Sequence, residues 1–129
     1  MVADLDMAIP HFVERYGMAV EVREVMSEQG VEAVALGVGP GQVELIQPLD
    51  GESPIARFLA SRGEGFHHVA YEVDDLDAAL AELRAAGEEL IDHAPRRGLG
   101  GHMIAFVHPR SGMGALTELV QREPGGHAG

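Results

Sequence analysis

The stretch VDDLDAAL at residues 73–80 repeats an earlier stretch of the chain, VADLDMAI at residues 2–9. A second pair follows in the same order, because TELVQ at residues 117–121 repeats VELIQ at residues 43–47. A similar length of chain separates the members of each pair. Internal repeats in a constant order indicate a duplicated architecture. The chain is therefore predicted to contain two related modules.

Hydrophobic periodicity predicts a mixed α+β fold with the same order of elements in both modules. The second module is predicted to be β-α-β-β-β, with a strand at residues 66–73, a helix at 75–86, and strands at 89–92, 102–108 and 115–121. The first module is predicted to be α-β-β-β, with a helix at residues 4–15 and strands at 18–25, 31–38 and 42–47. The second module is thus predicted to be a complete βαβββ unit, and the first is predicted to have the same order of elements without its first strand.

A length of 129 residues suits a single domain. Each half alone is marginal in size, so the two modules are expected to share a core. The predicted divisions are module one at about 1–50, a connection with a short helix at about 51–64, module two at about 65–122, and a tail at 123–129.

The net charge of −12 argues against several kinds of partner. Binding to nucleic acid or to an anionic membrane surface needs a basic face, so neither is expected. The chain has no cysteine, which excludes disulfides and thiolate chemistry. No apolar run is long enough for a membrane span and no signal peptide is recognisable, so a cytoplasmic location is expected.

Alternation of side chains along the strands singles out three residues. His68 faces away from the apolar side of its strand, formed by residues 69, 71 and 73. Glu44 and Glu118 occupy equivalent positions in the repeat, each opposite an apolar face. A carboxylate in an apolar strand is costly unless it is paired or binds a metal. These three residues are predicted to bind one divalent ion such as zinc, cobalt, nickel, iron or manganese. The alternative is exposed carboxylates and a structural histidine.

Several short motifs follow one another in a specific order and spacing. They are residues 28–31 (EQGV), 43–49 (VELIQPL), 50–59 (DGESPIARFL), 65–70 (GFHHVA), 73–76 (VDDL) and 108–111 (HPRS), the last leading into 116–119 (LTEL). Taken together, these motifs resemble the vicinal-oxygen-chelate superfamily and, within it, the methylmalonyl-CoA epimerase family. The similarity covers nearly the whole chain except the tail.

The resemblance implies two βαβββ modules whose sheets form a cupped metal site. The family's ligands carry over to Glu44, His68 and Glu118. A further ligand, a histidine on the first strand of module one, has no position in this chain. On this comparison the chain is expected to bind metal weakly and to have impaired activity, and one explanation for the missing ligand is a strand encoded upstream of Met1.

The resemblance also implies an activity and its partners. The family inverts the stereocentre between a thioester and a carboxylate by metal-assisted transfer of the α-proton. Glu118 is the expected catalytic residue, with Glu32 as a second candidate one residue from the position where some relatives carry a carboxylate. Arg97, Arg110 and Ser111 are candidates for binding the acyl-CoA substrate. A homodimer is expected from the family.

Two other functions remain open at this point. One is a glyoxalase-like isomerase or dioxygenase of the same superfamily. The other is a metal-free protein that binds a small molecule on the same scaffold, since a fold alone does not determine function. The missing ligand favours the second alternative, whereas the retained Glu44, His68 and Glu118 argue against it.

Overall fold

A computed structural model describes residues 1–122, and the predicted tail lies outside the described residues. The described chain forms two compact units, the first covering Met1–Phe66 and the second beginning at His67. The helices are α1 (Leu5–Tyr16), α2 (Pro54–Arg62) and α3 (Leu76–Ala85). The strands are β1 (Ala19–Met26), β2 (Val31–Val38), β3 (Gly41–Pro48), β4 (Val69–Glu72), β5 (Arg96–Arg97), β6 (Met103–Val107) and β7 (Thr117–Gln121).

The first unit is an antiparallel sheet in the order β1-β2-β3 with α1 against one face. Asp4 caps the start of α1, and Gly17 ends the helix in the left-handed conformation at a φ of 67°. The helix packs its buried face on alternate residues of the strands. That core consists of Leu5, Val34, Leu36 and Leu45.

The second unit is a four-stranded sheet in the order β4-β7-β6-β5, in which β4 runs parallel to β7. Asp75 caps the start of α3, just as Asp4 caps α1. The helix covers one face of the sheet. The core between them consists of Leu76, Leu80, Leu90, Ala105, Val107 and Leu119. Each unit therefore contains a helix-on-sheet core, while a core shared by both modules stays a prediction, as does a single domain.

The two units use the same contact to fasten helix to sheet. The side-chain carbonyl of Gln47 accepts a hydrogen bond from the Leu5 N–H at 2.6 Å. The side-chain carbonyl of Gln121 accepts one from the Leu76 N–H at 2.7 Å. In both cases a strand residue of the repeat binds the first N–H of the helix, which has no partner within the helix itself. The duplication read from the sequence is thus also a duplication of contacts.

The backbone just before each helix also follows the repeat. The Val73 N–H donates to the Val120 carbonyl at 2.8 Å, and the Val2 N–H donates to the Ile46 carbonyl at 2.9 Å. In the second unit this bond continues the pairing of β4 with β7. Val2 therefore lies beside β3 in the same way that Val73, just after β4, lies beside β7.

The predicted strand at residues 89–92 is wrong. Within residues 89–92 the chain makes an isolated bridge between Leu90 and Val107. The strand that pairs with β6 on the side away from β7 is β5. Ile91 and Asp92 both donate their N–H groups to the Phe106 carbonyl, and the Asp92 carboxylate accepts the Phe106 N–H. A side chain thus replaces the backbone partner, and the regular ladder is interrupted.

The predicted strand at residues 66–73 is shorter in the structure, because β4 begins at Val69. Tyr71, placed by the alternation on the apolar side of this strand, is 58% exposed, and Phe66 is 73% exposed. Among the described helices, none has the length and apolar character needed to cross a membrane.

Candidate functional site

The second unit brings together two of the predicted ligands, His68 and Glu118. Ala70 of β4 pairs with Glu118 of β7, so both lie on the same face of the sheet, away from α3. His68, two residues before Ala70, reaches this face as the alternation predicts. Its Nε2 lies 3.8 Å from Oε1 of Glu118. The side chains are only 10% and 7% exposed, so the pair is largely removed from water.

His68 is also held from its other ring nitrogen. Its Nδ1 lies 2.9 Å from Nδ1 of His67, and the two rings are perpendicular. One of these nitrogens must donate and the other accept. When His68 is the donor, its Nε2 keeps a lone pair on the side of Glu118. Two acceptor atoms then face each other across 3.8 Å, an arrangement that a cation between them would stabilise.

Burial and the neighbouring His67 lower the pKa of His68 to about 4. Burial also lowers the pKa of His67. Desolvation penalises the charged form of an imidazole, so His68 is neutral near neutral pH. A neutral imidazole is the form that binds metal ions. The donor types and the protonation state of this pair therefore fit a divalent cation.

Glu44 lies in the first unit, on β3. It pairs with Ala35 of β2, on the sheet face opposite α1, whereas Leu45 lies in the core against the helix. The alternation predicted for this strand is confirmed. Burial raises the pKa of Glu44 to about 7, and the N-terminal amine offsets part of this rise. Glu44 is partly buried, and its raised pKa means that its surroundings do not fully stabilise its negative charge. A bound cation would supply that stabilisation.

Glu32 lies on the other face of the same sheet. It pairs with Gln47, whose side chain binds the start of α1. Its carboxylate is 2.8 Å from the guanidinium of Arg23, which also contacts Asp6 of α1. The structure therefore does not bring Glu32 to the face that carries Glu44. The position that shares this face is Ala33, and the predicted one-residue shift is not corrected by a bulge in β2.

Two of the predicted substrate-binding residues contact the same partner. The guanidinium of Arg110, 78% exposed, is 3.1 Å from the Glu89 carboxylate. The hydroxyl of Ser111 accepts the Glu89 N–H at 2.8 Å. Arg97 is exposed, and its pairing with Met103 puts it on the α3 side of the sheet. Glu118 lies on the opposite side.

Three residues near His68 were not predicted from the sequence: His67, Phe106 and Arg96. Phe106 pairs with Glu118 and stacks edge-to-face with His68, and Arg96 lies over the Phe106 ring. The register of β6 against β7 decides which residues share the face of Glu118, and sequence periodicity does not give register. The doubled histidine was the available signal for His67.

Comparison with known proteins identifies the family. Residues 1–106 match the Glyoxalase/Bleomycin resistance protein/Dioxygenase superfamily. The ethylmalonyl-CoA/methylmalonyl-CoA epimerase of Cereibacter sphaeroides is 34% identical over 93% of this chain and 91% of that protein.

Two solved structures are also similar. Methylmalonyl-CoA epimerase from Mycobacterium tuberculosis is 40% identical with a TM-score of 0.90, covering 95% of this chain and 83% of that chain. A methylmalonyl-CoA epimerase in complex with methylmalonyl-CoA and NH4+ is 36% identical with a TM-score of 0.89, covering 93% and 88%. The expected α+β vicinal-oxygen-chelate fold is confirmed. The chain belongs to the glyoxalase/bleomycin resistance/dioxygenase superfamily and, within it, to the methylmalonyl-CoA epimerase family.

Proposed function

We propose that the protein interconverts the (R) and (S) forms of methylmalonyl-CoA. The observation that carries this proposal is the buried pair of His68 and Glu118 in a chain of the epimerase family. The similar structure that contains methylmalonyl-CoA supports the acyl-CoA substrate class. The same family relationship makes the glyoxalase-like and metal-free alternatives weaker.

The proposed metal ligands are Glu44, His68 and Glu118, which offer two carboxylates and one imidazole. This donor set suits zinc, cobalt, nickel or manganese. Support comes from the equivalence of Glu44 and Glu118 in the repeat, from the burial that raises the pKa of Glu44, and from the neutral state of His68. A bound divalent ion would supply a positive charge that stabilises the anion formed on the substrate after proton loss.

Glu118 is the proposed base. Its carboxylate accepts the α-proton, and the electron pair of the broken C–H bond passes into the thioester to give an enolate. The enolate then takes a proton from solvent on the opposite face of the carbon, and Glu118 releases its own proton to solvent. Burial at 7% exposure keeps competing water from the carboxylate. Glu32, ion-paired to Arg23 on the helix side of its sheet, gains no support as a second base.

Arg97, Arg110 and Ser111 stay in the proposal as residues that bind charged groups of the acyl-CoA. Guanidinium groups and hydroxyls are suited to phosphate and carboxylate oxygens. The contacts of Arg110 and Ser111 with Glu89 hold the segment that carries them in a defined position.

A homodimer and a cytoplasmic location complete the proposal, and light scattering after gel filtration would measure the oligomeric state.

The proposed reaction is tested by proton exchange. We expect the metal-loaded protein in D2O to replace the α-proton of (S)-methylmalonyl-CoA by deuterium and to form the (R) isomer. The Glu118→Gln variant, which keeps the size of the side chain, should lose this activity by several orders of magnitude. Glu72→Gln, at an exposed glutamate of β4, is the matched control and should retain it.

Two results would contradict the proposed reaction, and a third would contradict the role of Glu118. Binding of methylmalonyl-CoA without exchange by the metal-loaded wild type would favour the binding-protein alternative. Conversion of a glutathione hemithioacetal in place of methylmalonyl-CoA would favour the glyoxalase alternative. Unchanged activity of Glu118→Gln would remove Glu118 from the reaction.

A further inference from the structure

Phe106 contacts the candidate site from within the second unit. Its position in β6 pairs with Glu118 in β7, so the two side chains leave the sheet on the same face. Its ring also lies against His68, with ring centroids 5.7 Å apart and planes at 82°. This edge-to-face arrangement is the preferred geometry of aromatic pairs. One aromatic side chain is therefore adjacent to both candidate residues of this unit.

The Phe106 ring is itself held in place. The guanidinium of Arg96 lies 5.5 Å from the ring centroid, and its Nε donates to the Asp92 carboxylate at 3.2 Å. The same Asp92 oxygen accepts the Phe106 N–H at 2.9 Å. Backbone and ring of one residue are thus fixed by a single cation–carboxylate pair. This contact also replaces the regular strand predicted at residues 89–92.

The equivalent position in the first unit has no aromatic group. Ala35 pairs with Glu44 as Phe106 pairs with Glu118, and Ala35 is fully buried. The repeat therefore conserves the glutamate but not its cross-strand neighbour. The large ring occurs in the unit that carries His68, which indicates a role specific to that histidine rather than to strand pairing in general.

We infer that Phe106, held by Arg96 and Asp92, is a positioning residue for His68. The ring sets the plane of the imidazole and thereby keeps Nε2 directed at Glu118. It also covers one side of the imidazole and limits access of water. Groups behind metal ligands commonly change metal affinity by ~10- to 100-fold when they are removed. The inference rests on the proposed role of His68 as a metal ligand.

The test compares metal binding of four variants by calorimetry and by the absorption spectrum of bound Co²⁺. Phe106→Leu keeps an apolar side chain but loses the ring, and we expect cobalt affinity to fall by ~10-fold with an altered spectrum. Phe106→Tyr keeps the ring and should retain both properties. Arg96→Met removes the cation over the ring and should weaken binding by a smaller factor.

Phe58→Leu is the matched control, because Arg62 lies over the Phe58 ring at 5.1 Å in the first unit. It should leave cobalt affinity unchanged. Thermal unfolding of the metal-free variants identifies any that fail to fold, and Arg96→Met, at a partly exposed position, then provides the test. A spectrum and affinity unchanged in both Phe106→Leu and Arg96→Met would overturn the inference, as would a wild type that binds no cobalt. Cobalt binding that depends on Phe106 without proton exchange would contradict only the proposed epimerase reaction.

Discussion

His67 contacts the candidate ligand His68 through one hydrogen bond between Nδ1 atoms. We expect His67→Leu to lower the affinity for Zn²⁺ by ~10-fold, because His68 then loses the acceptor that selects its tautomer. His67→Asn places an amide oxygen near the same point and should restore most of the affinity. Isothermal titration of the two variants provides the measurement. Equal affinity in wild type and His67→Leu would contradict a role for His67 in orienting the ligand.

Glu44 gives the stability of the metal-free protein a pH dependence. Burial raises its pKa from 4.5 to about 7. Between these values the folded state holds a proton that the unfolded state has released, so the free energy of unfolding falls as pH rises. The stabilisation that protonated Glu44 contributes to the folded state is thus fully present below pH 4.5 and is lost as pH rises through about 7.

The Glu44→Gln variant removes this titration while keeping the size of the side chain. We expect its free energy of unfolding, relative to wild type, to be greater at about pH 8 than at about pH 5, by an amount on the order of 2 kcal/mol. Urea denaturation in the presence of a chelator measures the difference. His68, whose pKa is lowered to about 4, contributes stability that is lost as pH falls, and this contribution cancels between the two proteins. If the free energies of unfolding of Glu44→Gln and wild type differed by the same amount at both pH values, the raised pKa of Glu44 would be refuted.

At the scale of elements, the glutamine side chains that bind the starts of α1 and α3 should contribute measurably to the free energy of unfolding. We expect Gln121→Leu to lower the free energy of unfolding by ~1–2 kcal/mol, because the Leu76 N–H loses its acceptor in a partly buried place. Gln121→Glu keeps an oxygen and puts negative charge near a helix N-terminus, so it should lose much less. Urea denaturation of both variants measures these losses in the free energy of unfolding. Equal losses would mean that the hydrogen bond is not the cause.

The strand faces could be predicted from the sequence because side chains alternate with a fixed period. Leu45 and Leu119 lie in the two cores, and their neighbours Glu44 and Glu118 lie on the opposite faces, as expected. The path of residues 89–97 could not be predicted, since the Asp92 carboxylate takes a backbone N–H that a regular strand would satisfy. A side chain that substitutes for a ladder bond leaves no periodic signal.

The residues proposed as ligands could be selected from the sequence, whereas the residues around them could not. The repeat marked Glu44 and Glu118, and the histidine pair marked His68. Arg96 and Arg97 cannot be told apart by residue type, and only the register with β6 assigns each of them to a face of the sheet. Cross-strand partners such as Phe106 depend on the same register, which forms only when β6 and β7 pair.

At the scale of the whole molecule, the net charge of −12 should make stability depend on ionic strength. Like charges repel one another in the compact state and less so in the unfolded chain. Raising NaCl from about 10 mM to about 0.1 M shortens the Debye length from about 30 Å to about 10 Å. We therefore expect the midpoint of thermal unfolding of the metal-free protein to rise by several degrees.

Calorimetry of this salt series includes KCl as a control, because screening depends on ionic strength and not on the particular cation. A midpoint that stays constant would show that ion pairs such as Arg23 with Glu32 compensate for the general repulsion. A rise with only one of the two salts would indicate specific ion binding.

Ala35 and Phe106 occupy equivalent backbone positions with side chains of very different volume. A gene duplication begins with two identical surfaces, whereas a thioester that also bears a carboxylate has two chemically unequal ends. Divergence at one cross-strand position makes the surroundings of the two equivalent glutamates unequal. The exchange of one methyl group for a benzyl group thus gives an inherited pair of acidic residues two different neighbourhoods.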